Sequence, residues 1–324
     1  MYEFLIVFIV SFTTTFISTP WIIPKLKRVG LVGRDMNKPG RPEIPEMGGF
    51  GIVAGSCAGI LVAITLSTFF NSFGHEFQYK YILAALSTIL IISLIGIFDD
   101  LFMIHQAVKA VLPLFAALPL VAVKAGTTTM TLPFIGTVNF GIFYILVLIP
   151  IGIAGASNAT NMLAGFNGLE AGMGLMACSS LAFIALITGK VEALVLLLSM
   201  CGALLAFLYY NWYPAKVLIG DIGTLSIGAL IASSVIIGNF ESSGVIVIIP
   251  YALDFFIKLK NHFPSKNWWG EYSNGKLFCR KKPVSLCQQI MKFSNGISEQ
   301  KLVLTLILTE LIFGIFAITL FLVK

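Results

Sequence analysis

Ten apolar stretches follow one another along this chain, near residues 2–24, 48–70, 81–98, 107–123, 140–160, 171–188, 193–210, 222–238, 244–258 and 302–323. All but the shortest, 244–258, are close to the roughly 20 residues an α-helix needs to cross the hydrocarbon layer of a bilayer. No water reaches backbone N–H and C=O groups there, so segments this continuously apolar must bond their own backbone as helices. The expected fold is an all-α integral membrane protein of about ten transmembrane helices, a single polytopic domain over residues 1–324. Only 11% of residues are charged, against roughly a quarter in a soluble domain, and 57% are apolar. The first stretch lacks a basic start and a small-residue cleavage site and ends in Lys25, Lys27 and Arg28, so it is expected to remain as a helix.

With ten spans both termini share one side, and the loops near 25–47, 99–106, 161–170, 211–221 and 259–301 share the other. Basic residues crowd into the first and last of these loops, whereas the opposite side carries only Lys80, Lys124, Lys190 and Lys324. The positive-inside rule makes the basic loops cytoplasmic and the termini external. The net charge of +6 therefore reports topology, and nucleic acid is not implied. The loop 259–301 is too short for an independent core, and its stretch His262 to Gly270 mixes aromatic and basic residues in the manner of a lid at the membrane interface. Cys57, Cys178 and Cys201 lie in spans and Cys279 and Cys287 lack zinc-site spacing, so free thiols are expected.

The polar motifs fall on the same predicted face. Asp99 and Asp100 close one span, and Lys109, early in the next, can fold back to pair with one of them or hold a lipid phosphate. A solvated helix end is the plain alternative for the pair. Asp221 stands between Gly220 and Ile222-Gly223 at a loop-to-helix junction, where open backbone lets a hard cation or a phosphate approach. The run Asn158 to Glu170 supplies amides and glycines of the kind that read a base edge, although an ordinary polar turn has the same composition. Gly51, Gly55 and Gly59, four residues apart, predict close helix packing. Asp254 and Glu310 lie inside spans and are functional candidates because intramembrane acids are costly.

Taken in order, Gly33 to Lys38 and Ile44-Pro45-Glu46, Asp99-Asp100 with Lys109, Asn158 to Glu170, Asn211-Trp212-Tyr213-Pro214 before Gly220-Asp221, and the basic loop from Lys260 resemble the polyprenyl-phosphate N-acetylhexosamine-1-phosphate transferases over nearly the whole chain. Bacterial branches usually place aspartates where this chain has Ala164 and Asn167, and a histidine-rich motif where it has Asn261-His262-Phe263. The run Asn161 to Glu170 is similar to the dolichol-using branch of archaea and eukaryotes, with Lys260 and His262 where arginines are expected. The resemblance implies transfer of a HexNAc-1-phosphate from a UDP-N-acetylhexosamine to a dolichyl or other polyprenyl phosphate, with release of UMP, at the cytoplasmic face of an archaeal cell membrane or its equivalent. It further implies Mg2+, or Mn2+, on Asp221 and Asn161. Asn167 and Gly165 would contact uracil, Lys260 and His262 the pyrophosphate, and Glu46 and Asn158 would support substrate binding. Asp99, Asp100 and Lys109 would organise the acceptor phosphate, and a homodimer is compatible with such an enzyme. A lipid or small-molecule transporter is the alternative from another class; it would set its polar groups near the midplane. A CDP-alcohol phosphotransferase would need a compact aspartate cluster that this chain lacks.

Overall fold

The computed structural model describes residues 2–74, 77–132, 136–264 and 268–323. Lys266, with Ser265 and Asn267 of the expected lid, and Lys324 lie outside them. All ten apolar stretches are helical. Nine helices are long and apolar enough to cross a membrane among the described residues: α1 (Tyr2–Arg28), α2 (Gly49–Phe70), α3 (Tyr79–Phe102), a π-helical turn Tyr144–Leu148 continuing into α6 (Ile149–Met162), α7 (Leu169–Ile187), α8 (Val191–Asn211), α9 (Gly220–Gly238), α10 (Glu241–Lys260) and α12 (Glu299–Val323). The expected fourth span is instead two short helices, α4 (Gln106–Ala116) and α5 (Leu118–Ala122), broken at Ala117 with Pro113 before it and Pro119 after. Proline lacks the N–H that a helix interior needs and clashes with the preceding turn, which accounts for the break. The pair still runs the length of the bundle: Lys109 of α4 reaches Asp221 at one end, and beyond α5 the Thr127 N–H bonds Asn239 Oδ1 at the other.

Burial orders the helices from centre to rim. The apolar window of α9 is 89% buried and those of α7 and α8 72%, whereas α1 and α12 bury only 22% and present their remaining apolar faces to lipid. The glycine stripe of α2 packs on α1 as its spacing predicts: Thr15 Oγ1 donates to the Gly51 carbonyl, and any Cβ at Gly55 or Gly59 would collide with Thr15 or Ser11. Three antiparallel hairpins decorate the ends: β1 (Val32–Arg34) with β2 (Glu43–Pro45), β3 (Thr129–Leu132) with β4 (Gly136–Asn139), and β5 (Glu271–Ser273) with β6 (Lys276–Phe278). The loop expected over 259–301 thus carries a hairpin and a short helix, α11 (Leu286–Phe293). Of the two intramembrane acids, Glu310 is fully buried and neither carboxylate oxygen has a hydrogen-bond partner. Asp254 belongs to the site.

Candidate active site

Close approach of α3 to the start of α9 builds the site. A Cβ at Gly96 would come within 2.5 Å of the Ile222 backbone, so only glycine lets the two helices touch there. One turn further on, Asp100 accepts the N–H groups of Asp221 (2.9 Å) and Ile222 (3.3 Å), capping α9 as its free N-terminal donors require. Asp99 accepts the Ile104 N–H at 2.9 Å and so shapes the turn into α4. That turn brings Lys109 back, and its ammonium pairs with both Asp99 and Asp221, the latter at 2.5 Å. The expected fold-back is present, but the two adjacent acids do different work: Asp99 faces the lysine, and Asp100 holds the helix that carries Asp221.

Asn161, at the end of α6, completes this cluster. With its amide nitrogen turned to Asp221 Oδ1 (2.9 Å) and the Thr224 hydroxyl (2.8 Å), its oxygen accepts from Lys109 at 2.8 Å. Turned the other way, its oxygen would face Asp221 Oδ1 at 2.9 Å and its nitrogen the Lys109 ammonium at 2.8 Å, donor against donor, so the hydrogen bonds favour the first orientation. Two cis oxygens on one octahedral Mg2+ are spaced by about 2.9 Å, given bond lengths near 2.1 Å. The Asp221 carboxylate and the Asn161 amide oxygen would have the spacing of two ligands of one Mg2+ only with the amide turned and Lys109 displaced. No group of three or more His, Cys, Asp or Glu side chains suited to a metal occurs among the described residues.

A second network fixes the loop between α6 and α7. Asn167, only 2% exposed, donates its backbone N–H to Glu299 (2.8 Å) and its amide to Asp35 (3.0 Å), and accepts the Ala215 N–H at 2.9 Å. Glu299 and Asp35 share Lys38. Glu170 accepts the Gly165 N–H at 2.5 Å, and Asn37 bridges the Gly165 carbonyl (3.0 Å) to the Gly270 N–H (3.2 Å). Gly165 has φ +104°, and its α-carbon lies under the Trp268 ring so closely that a Cβ would meet it at 2.2 Å. Backbone bonds between Leu218 and both Pro45 and Gly48, 2.8 Å each, tie the first loop to the approach to α9.

These elements enclose two clefts. One, about 470 Å³, is lined by Gly33, Arg34, Asp35, Glu46, Gly165, Leu218 and Trp268, among others. The second, about 960 Å³, runs between α4, α6 and α10 past His105, Lys109, Leu114, Ile151, Asn158, Phe255 and His262. An apolar cavity of about 530 Å³ adjoins it at Ile151 and Gly155 and reaches Tyr144 and Glu241 at the far end of the bundle. Asn161, Met162, Asp221, Lys258 and Trp268 line both clefts, which therefore meet over Asp221. Burial, reinforced by the negative charge of Asp100, pushes the Glu46 carboxyl above the usual carboxylate range.

Of the residues singled out in the sequence, Asn158, Asn161, Lys109, Asp221, Gly165 and Glu46 line one cleft or the other, and Asp99 and Asp100 stand directly behind them. Asn167 does not line the clefts; its side chain braces the loop from behind Gly165. His262 lines the second cleft, not the first, and Lys260 is exposed and lines neither. Asp35 and Glu170 lie in motifs singled out in the sequence but without a role of their own, and Glu299 and Lys258 were missed. For Lys258 a signal existed: it lies four residues after the intramembrane Asp254, the spacing that pairs side chains on a helix.

Comparison with known proteins agrees with this architecture. Residues 82–239, which carry Asp99, Lys109, Asn161 and Asp221, match the family model described as glycosyl transferase family 4. A Saccharolobus solfataricus protein named putative UDP-N-acetylglucosamine–dolichyl-phosphate N-acetylglucosaminephosphotransferase is 39% identical over 96% of this chain and 95% of its own. A Sulfolobus acidocaldarius protein of the same name is 37% identical over 96% and 94%. A Bacillus subtilis protein, named probable undecaprenyl-phosphate N-acetylglucosaminyl 1-phosphate transferase, is 30% identical over 99% and 86%. The chain belongs to glycosyl transferase family 4.

Proposed function

We propose that the protein transfers N-acetylglucosamine-1-phosphate from UDP-N-acetylglucosamine to a dolichyl or related polyprenyl phosphate, releasing UMP and leaving the sugar on the lipid through a pyrophosphate. The observation that carries this reading is the meeting of two clefts of opposite character over Asp221. The smaller one offers backbone and polar groups around Gly165 and an aromatic face on Trp268, suited to a nucleoside. The larger continues into an apolar groove between helices, suited to a prenyl chain. A transporter gains no support, because apart from Glu310 the ionisable groups that line the clefts gather at one end of the bundle and not at its midplane. The basic loops share that end, which supports a cytoplasmic orientation.

In this reading an oxygen of the lipid phosphate attacks the β-phosphorus of the donor, the bond from that phosphorus to the bridging oxygen breaks, and UMP leaves with the electron pair. The acceptor is largely dianionic at neutral pH, with a second pKa of about 6, so it needs no general base. Catalysis then rests on holding two anions together and neutralising them. Lys109, from the groove side, holds the acceptor phosphate, and Asp99 keeps that lysine in place. Asp100 and the capped end of α9 fix Asp221, which with Asn161 would hold Mg2+; when bound, the metal supplies charge neutralisation at the pyrophosphate oxygens. The test is to incubate purified protein with Mg2+, a short polyprenyl phosphate and a panel of UDP-sugars, and weigh the lipid product. A lipid gaining one N-acetylhexosamine phosphate, with UMP released, is expected; no lipid product with any donor would overturn the proposal.

A further inference from the structure

Any donor lying in the nucleoside cleft and any acceptor lying in the groove must bring their phosphates together where the two clefts join. Among the described residues five line both, and of these five Lys258 is the one cation. It sits near the end of α10, and its ammonium donates to the Met162 carbonyl, one residue after Asn161, and pairs with Asp254 at 2.8 Å. Asp254 is fully buried in the same helix, and its other oxygen accepts the Leu286 N–H at 2.7 Å, at the start of α11. An ammonium has three donors. One is given to the Met162 carbonyl, and the ammonium stands against Asp254 as an ion pair, which leaves donor capacity for the cleft junction.

We propose that Lys258 binds the donor pyrophosphate at this junction, and that Asp254 is its positioning residue. The assignment rests on the transferase reading above and deepens it. Lys260 and His262, expected in this role, lie elsewhere: Lys260 lines neither cleft and His262 only the groove. A carboxylate deep in a membrane helix is costly unless paired, and the i,i+4 partnership explains why one stands at Asp254. Without it Lys258 would be a flexible, exposed-end side chain; with it the ammonium is held beside Asn161. The link from Asp254 to Leu286 also fastens the basic loop to the same point.

The test compares UDP with uridine, both in Mg2+, on the intact protein in detergent. Lys258→Met should weaken UDP binding by about 10- to 100-fold, the worth of a hydrogen bond between charged groups, and leave uridine within about twofold. Lys258→Arg should restore part of the loss. Asp254→Asn should lower the UDP preference less than Lys258→Met and add nothing to it in the double variant, whereas a purely structural loss would weaken uridine equally and add. On the wild-type protein, UDP should slow acylation of Lys258, read by mass spectrometry, and uridine should not. An unchanged UDP-to-uridine ratio in a folded Lys258→Met protein, or equal acylation under both nucleotides, would overturn the assignment while the transferase reading stands. Wild-type protein that binds UDP no better than uridine would overturn both.

Discussion

The two clefts that meet over Asp221 are built by opposite means. The smaller cleft, proposed for the nucleoside, is walled largely by loops, and its backbone turns are tied to buried side chains: Gly165 to Glu170 and Asn37, Asn167 to Glu299 and Asp35. The groove is walled by helix faces of α4, α6 and α10, and deeper in it needs only apolar surface and width. Loops buried between helices must satisfy every polar group or lose their shape, because an unpaired buried donor costs about 1–3 kcal/mol. A helix face already has its backbone satisfied. Precision is thus concentrated in the cleft proposed for the donor, and tolerance in the groove proposed for the acceptor.

This contrast can be broken at several points. Asp221→Asn, at the junction, should lower turnover by about 10^3-fold in a folded protein, because in the proposed reaction one carboxylate both pairs Lys109 and would hold Mg2+; near-normal turnover with unchanged Mg2+ dependence would remove Asp221 from the chemistry. On the loop side, Glu299→Ala takes from the Asn167 N–H its buried acceptor and from Lys38 one of its two partners, and should cost about 2 kcal/mol of stability, the cost of leaving a buried donor unpaired. Donor KM should rise with it, and denaturant or thermal unfolding measures the first effect.

On the groove side, Gly155 has no neighbouring atom within 4 Å of an added Cβ and lines the apolar channel. Gly155→Phe should therefore fill the channel, raise acceptor KM by about tenfold, some 1.4 kcal/mol, and leave donor KM unchanged. An equal effect on both substrates would show that the groove is not the acceptor's. The smallest effect is expected at Glu46. Its raised pKa means that the folded state holds a proton more tightly than the unfolded chain, so stability falls as pH rises through that range. Glu46→Gln should remove this penalty, giving a small gain in thermal stability at pH 7 that shrinks as the pH is lowered towards the ordinary carboxylate value.

What could be read from the sequence divides along the same line. Spans were legible because the bilayer imposes a length and a composition on each helix independently of its neighbours, and even the α4–α5 break is announced by Pro113 and Pro119. The cluster of Asp99, Lys109, Asn161 and Asp221 was legible because all four lie at helix ends on one face. The roles inside the loops were not. Asn167 and Gly165 are two residues apart, and only the third dimension shows that one turns inward to Asp35 while the other lies under Trp268. Asp100 cannot be told from Asp99 by position, since the difference is which helix end each carboxylate meets. Lys260 and Lys258 differ by two residues on one helix, a rotation of some 200° at 3.6 residues per turn, enough to move an ammonium from the site to the outside.

In the proposed reaction the two clefts deliver both phosphates to one point, so that transfer is direct and no phospho-sugar enzyme forms on Asp99 or Asp100. A carboxylate attacking the pyrophosphate would add an anion to the junction before the acceptor arrives. The decisive measurement is isotope exchange: protein freed of carried-over lipid is incubated with Mg2+, UDP-N-acetylglucosamine and labelled UMP. Direct transfer predicts no label in the donor until a polyprenyl phosphate is added. Exchange without lipid at a rate comparable to turnover, abolished by Asp99→Asn or Asp100→Asn, would contradict it.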